Sequence, residues 1–133
     1  MLNIFIKTKK PADIYGYDFD GVISIGITPR ATTDFVITGR CVDEQDEVLA
    51  ILKERGIKCK VYFNPMTLEE RGNHTVAARR HSGHHKAHTI NRLKGEGVIV
   101  SRFFEDDPIQ YQILQENCPD VELVNIVSKL VQK

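Results

Sequence analysis

Two aspartates sit two residues apart in Tyr15-Gly16-Tyr17-Asp18-Phe19-Asp20-Gly21-Val22, after an apolar run and before a glycine. If Asp13 to Tyr17 forms a buried strand, Asp18 lies at its C-terminal end, where open α/β sheets bind ligands. Residues i and i+2 of a strand point to the same side. Asp20 can therefore share a pocket with Asp18, or the chain can already curl over it, with Gly21 permitting the turn. Two carboxylates this close repel each other unless a cation or a shared proton is present. The pair suggests a Mg²⁺ site with one carboxylate free for chemistry. The same residues also fit a plain strand-to-turn junction, because Asp and Gly are common turn formers. An EF-hand loop does not fit, since its fifth and twelfth positions would be Val22 and Pro29.

Apolar runs alternate with helical patterns along the rest of the chain. Short strands are expected over Asp13 to Tyr17 and Phe35 to Ile37, and a helix over Val42 to Arg55, capped by Asp43 and ended by Gly56. Lys58 to Phe63 reads as the next strand, and residues 66 to 83 as polar and irregular. A helix over His84 to Lys94 and a strand over Val98 to Phe104 follow. Asp107-Pro108 then opens a helix with Ile109, Ile113 and Leu114 inward, because Pro favours the first helical position. Val121 to Ile126 reads as a last strand, Leu2 to Lys7 as an extra edge strand and Val127 to Lys133 as a short terminal helix. Such alternation predicts a Rossmann-like three-layer αβα sandwich around a mostly parallel sheet of about five strands. One sheet edge would gather Asp18 and Asp20, Thr38, Asn64, and Glu105-Asp106-Asp107.

The 133 residues fit one domain, expected to span 1–133. No apolar run approaches the roughly 20 residues of a membrane span, and the first residues lack the pattern of a signal peptide. Cys41, Cys59 and Cys118 show no C-x-x-C spacing, which points to reduced thiols and a cytoplasmic setting. Net charge is zero, but its distribution is uneven. Gly72 to Gly95 contains no Asp or Glu, yet carries Arg79, Arg80, Lys86, Arg92, Lys94 and all five histidines. A local basic field of this kind concentrates anions.

Four segments resemble the haloacid dehalogenase superfamily of phosphohydrolases. Ile14 to Val22 matches its D-x-D-G-[TV] motif after an apolar strand. Phe35-Val36-Ile37-Thr38-Gly39-Arg40 matches the strand that ends in Thr or Ser, often followed by Gly-Arg. Lys86 matches a lysine near the start of a helix, and Val100 to Asp107 an apolar strand ending in acids. They occur in the family's order, from Ile14 to Ile126. The resemblance implies a phosphatase in which Asp18 is the nucleophile that forms an aspartyl-phosphate and Asp20 the general acid and base. Thr38 and Lys86 would hold the phosphoryl oxygens. Mg²⁺ would be held by Asp18, the backbone around Asp20, and Asp106 with Asp107, leaving Glu105 as the alternative acid. An anionic nucleophile attacking an anionic phosphate needs this positive charge and these fixed donors.

The segments Val22 to Asp34 and Asn64 to Gly83 are too short for the folded cap domains of that family. The chain therefore resembles a capless member, whose open site goes with large substrates or with a homo-oligomer that covers it. His81, His84, His85 and His88 have the helical spacing of a transition-metal site, but no cysteine accompanies them. Substrate contact is the preferred reading, with Arg79, Arg80 and His85 meeting flanking phosphates of a nucleotide or nucleic-acid end. Gly39 and Arg40 are expected to face substrate too.

Overall fold

The structure is a computed structural model, described here over residues 13–127. The expected edge strand at Leu2 to Lys7 and the expected helix from Val127 onward lie outside the described residues, except for Val127 itself. Five parallel strands form one sheet in the order β3-β2-β1-β4-β5. They are β1 (Ile14–Tyr17), β2 (Phe35–Cys41), β3 (Lys60–Asn64), β4 (Val100–Glu105) and β5 (Glu122–Asn125). The helices are α1 (Gln45–Glu54), α2 (Leu68–Arg71), α3 (Val76–Gly95) and α4 (Pro108–Asn117). Helices packed around a parallel sheet make this an α/β, Rossmann-like three-layer fold. None of the described helices is long and apolar enough to cross a membrane.

Alternation along the strands builds two cores. Ile37, Val100 and Phe103 pack with Ala87, Ile90 and Leu93 of α3 and Leu114 of α4 on one face. Tyr17 and Val36 pack with Val48 and Leu52 of α1 on the other, beside Phe19, Val22 and Ile23 from the turn after β1. The connection leaving β1 and the one leaving β4 thus cross to opposite faces of the sheet. Neighbouring strands with diverging connections leave a crevice between their C-terminal ends. Asp18 follows β1 and Asp106 follows β4, so both stand at that crevice.

Several expected boundaries differ, each for a local reason. The helix expected from His84 begins at Val76, where the Thr75 hydroxyl accepts from the Ala78 amide at 3.1 Å. The segment 66–83 is therefore largely helical, since α2 occupies its first part. A cap and a good first turn outweigh the mid-helix Gly83, whose lack of a side chain lets α4 approach. A Cβ at Gly83 would lie 3.1 Å from Ile113 Cδ1 and 3.2 Å from Gln110 Cα. Strand β2 runs on through Gly39 and Arg40 to Cys41, so Thr38 lies within it rather than at its end. The helix expected over Val42 to Arg55 starts as a tight turn at Val42–Glu44 before α1. Asp43 does not cap it; its carboxylate accepts instead from the Leu68 amide at 3.0 Å, at the start of α2. Asp107 does cap α4, accepting from the Ile109 amide at 3.2 Å.

Candidate active site

The C-terminal edge of β1 delivers Asp18 into a cleft of about 390 Å³. Its backbone stays extended, and Oδ1 accepts the Phe19 amide at 2.8 Å. The chain then curls through one irregular turn, Phe19–Ile23, with Gly21 at φ +82°. That conformation suits glycine. Space demands it as well, because a Cβ at Gly21 would fall inside the Asp106 carboxylate. The strand end of β1 and the loop after β4 are thus held in direct contact.

From the opposite wall, the middle of α3 supplies Lys86. Its ammonium, 1% exposed, sits 2.9 Å from Asp18 Oδ1 and 2.7 Å from Glu105 Oε1. The second Glu105 oxygen accepts the amides of Asp106 and Asp107, both at 3.1 Å. Glu105 therefore orients Lys86 and the acidic loop together. A buried lysine must be paired. Burial pulls its pKa down, but the charges of Asp18 and Glu105 outweigh burial and hold it above the ordinary lysine value.

Asp18, Glu105 and Asp106 each bring a carboxylate oxygen within 4.8 Å of the others. Burial, then the charge of Glu105, pushes the Asp18 carboxyl well above its ordinary value, with Lys86 opposing. The same two causes push Asp106 up to about 6. Fully ionised, three carboxylates would outnumber the one lysine by two charges, and this repulsion joins burial in raising Asp18 and Asp106. The donor set is all oxygen, as a hard divalent cation such as Mg²⁺ requires. These residues fit that ion, and Asp18 and Asp106 are the two with uncommitted oxygens, since both oxygens of Glu105 are taken.

The remaining expected residues separate into two groups. Asp20, Gly39, Arg40, Arg79 and Asp107 all line the cleft. Asp20 does not join the carboxylate cluster; Arg40 grips it through Nε–H···Oδ2 at 2.8 Å and Nη2–H···Oδ1 at 3.0 Å. Asp107 is withdrawn from the cluster too. Arg79 holds it by two hydrogen bonds, of 3.1 and 2.5 Å, and Gln110 donates to it at 2.9 Å. Burial raises the Asp107 pKa, but these bonds, Arg79 first, bring it below its ordinary value. Glu105, kept in the sequence only as an alternative, lies in the carboxylate cluster where Asp107 does not.

Thr38, Arg80 and His85 are outside the cleft lining. Thr38 is fully buried, and its hydroxyl accepts the Arg40 amide at 3.0 Å. Arg80 faces solvent. His85 turns toward the sheet, where burial and the charge of Lys86 lower its pKa to about 4. Its Nε2 is buried without a partner among the described residues. Exposed His81, His84 and His88 form no three-residue metal cluster among the described residues.

Sequence reasoning missed several lining residues, among them Arg71, His74, Ser82 and Gln110. Arg71 donates to the Gly39 carbonyl at 2.7 Å and fixes the strand end. Ser82 packs on Gly39 so closely that a Cβ there would come 2.5 Å from Ser82 Oγ. For Glu105 a signal existed: it is two residues beyond Phe103 on β4, and the two share the buried side of the strand.

Fold and site together define an α/β protein with a carboxylate–lysine cluster at the sheet's crevice. Comparisons with protein-family models, curated proteins and solved structures found no match for the chain.

Proposed function

We propose that the protein is a Mg²⁺-dependent phosphohydrolase of haloacid dehalogenase type, cleaving phosphomonoesters through an aspartyl-phosphate. One observation carries the reading: Lys86 bridges Asp18 and Glu105 at the switch point of the sheet, with Asp106 alongside. A buried carboxylate beside a buried ammonium and a surplus of negative charge suits a nucleophile that works with a cation.

In the proposed reaction Asp18 attacks phosphorus and the ester oxygen leaves. Lys86 has three donors, of which Asp18 and Glu105 take two, so one remains for a phosphoryl oxygen. Asp18 and Asp106 would hold Mg²⁺, with a backbone carbonyl near Asp20 as the resemblance implies; the ion would neutralise the carboxylates and the phosphoryl charge. Asp20 would protonate the leaving oxygen and then take the proton of the attacking water. Arg40 and Arg79, on the cleft wall, are the proposed substrate contacts. A nucleotide or nucleic-acid end is the proposed substrate class, and the free thiols of Cys41, Cys59 and Cys118 suit a reducing cytoplasm. A small-metabolite phosphatase whose open cleft is covered by a second copy is the alternative.

The test is hydrolysis of p-nitrophenyl phosphate. Activity should need Mg²⁺, vanish with chelator and fall about a thousandfold or more in Asp18→Asn. Undiminished turnover in that variant would overturn the mechanism. Phosphate release from 3′-phosphorylated oligonucleotides, nucleoside monophosphates and sugar phosphates then separates the substrate classes. Activity on oligonucleotides that falls steeply with salt would favour backbone contacts.

A further inference from the structure

Three carboxylates surround the Arg40 guanidinium. Its Nε and Nη2 edge holds both oxygens of Asp20, at 2.8 and 3.0 Å. Its Nη1 donates to Glu44 at 3.1 Å and to Glu47 at 3.4 Å. The two sides of this arrangement differ in burial and anchoring. Glu44 is 15% exposed and anchored, because its other oxygen accepts the Cys41 amide at 2.9 Å. Asp20 is 46% exposed and belongs to the turn that lines the cleft. The two-point contact is stronger than a single exposed ion pair, but the half-exposed Asp20 side leaves it open to an anion entering the cleft.

A guanidinium edge binds carboxylate and phosphate in the same two-point geometry. Asp20 therefore occupies the donors that an incoming phosphate would use. While both its oxygens are bound to Arg40, Asp20 is also poorly placed to hand a proton to a leaving group. Losing Asp20 would not strand Arg40, since Glu44 and Glu47 still hold Nη1 and keep the guanidinium at the cleft wall.

We infer that Asp20 is an internal competitor for Arg40: a phosphoryl anion entering the cleft takes the Nε and Nη2 edge, and the displaced Asp20 carboxylate turns into the cleft. No bond is made or broken; one anion replaces another on the same two donors. Arg40 is then a positioning residue that couples substrate arrival to the release of Asp20. The use of released Asp20 as acid and base rests on the proposed phosphatase reading, whereas the exchange itself needs no turnover.

Binding of inorganic phosphate to the full chain in Mg²⁺, measured by calorimetry, tests this. Arg40→Ala should weaken binding about tenfold. Asp20→Asn should tighten it several-fold, because the competitor is gone while Arg40 stays. In the Arg40→Ala background, Asp20→Asn should give no tightening. Tightening that persists there would mean simple removal of negative charge and would overturn the inference, as would equal affinity in wild type and Arg40→Ala or no phosphate binding by wild type. Arg40→Lys keeps the charge without the two-point edge and should resemble Arg40→Ala, which guards against a folding defect in one variant. The ¹⁵Nε–H resonance of Arg40 should also shift on saturation with phosphate. Exchange without any p-nitrophenyl phosphate hydrolysis would sink the phosphatase reading and leave this inference standing.

Discussion

Lys86 and Glu105 form a 2.7 Å ion pair in which neither side chain is more than 1% exposed. Glu105 ties α3 to the loop after β4, because its second oxygen holds the Asp106 and Asp107 amides. Removing one partner of a buried pair leaves the other charge without compensation, at a cost of about 3–5 kcal/mol. Glu105→Ala should lose less than that, about 1–3 kcal/mol in urea unfolding, because Asp18 still pairs with Lys86 while the Asp106 and Asp107 amides lose their acceptor. Adding Lys86→Met should cost less than the two single losses summed, with a coupling of about 0.5–3 kcal/mol. Strict additivity would mean the pair does not couple.

Gly21→Ala should act on the site through two effects with one origin. The φ of +82° is strained for alanine, and its methyl group would displace the Asp106 carboxylate. Stability should fall by more than the ~1 kcal/mol of a simple left-handed penalty. The stabilisation expected from Mg²⁺ at the proposed site should shrink in the variant, since Asp106 is one of the two cluster acids with free oxygens. Scanning calorimetry with and without Mg²⁺ measures both quantities. An unchanged Mg²⁺ increment would remove Asp106 from the proposed metal site.

The ends of β1 and β4 were the most legible part of this chain, for a physical reason, whereas β2 runs four residues past its expected end at Ile37. An apolar run that stops at an acid, as Tyr17-Asp18 and Phe104-Glu105 do, marks both a strand and its functional end. Strand order β3-β2-β1-β4-β5 goes with α1 packing on one face of the sheet and α3 and α4 on the other, which no local pattern encodes. Three consecutive acids, Glu105 to Asp107, could not be sorted by type alone. Their roles follow from direction: Glu105 points inward with Phe103, Asp106 meets Gly21, and Asp107 caps α4 and pairs with Arg79. The first half of α3 was hidden because Gly83 and a run of polar residues weaken a helical pattern that the packing of α4 then sustains. Arg71, which ends α2, and His74, which precedes α3, belong to the same polar segment 66–83, so the cleft wall they form was hidden with it.

Acidic pH should stabilise the cluster in the absence of metal. Asp106 titrates near 6 in the folded protein, against an ordinary value of 3.8. A carboxyl raised by folding contributes stability that is full below its unfolded pKa and is lost as pH rises through its folded pKa. The Tm of chelated protein should therefore carry a falling contribution between about pH 4 and 6. At the proposed site Mg²⁺ would bind the ionised carboxylates, so the gain in Tm on adding Mg²⁺ should grow across the same range. Asp106→Asn should flatten both dependences. A Mg²⁺ gain equal at pH 4 and pH 7 would show that the ion binds elsewhere.

His85 should give a pH dependence of the opposite sign. Burial, with the charge of Lys86, lowers its pKa from 6.5 to about 4. The unfolded chain then binds a proton before the folded one does. Stability from this group is present above pH 6.5 and is lost as pH falls toward 4. The position of the ring explains the shift: it turns from the cleft toward β2, where burial and the neighbouring Lys86 charge outweigh the one contribution that favours a proton, from the Thr38 backbone. In Mg²⁺-free buffer the Asp106 contribution rises over part of this range, so comparison with a variant isolates the histidine. His85→Gln, which cannot take up a proton, should lose less stability than wild type between pH 6.5 and 4. Chemical unfolding of both proteins at several pH values gives the difference directly. Parallel curves would mean that His85 is solvated in the folded protein. Because the ring lies outside the cleft lining, the same substitution should leave phosphate affinity at pH 7.5 within about threefold of wild type.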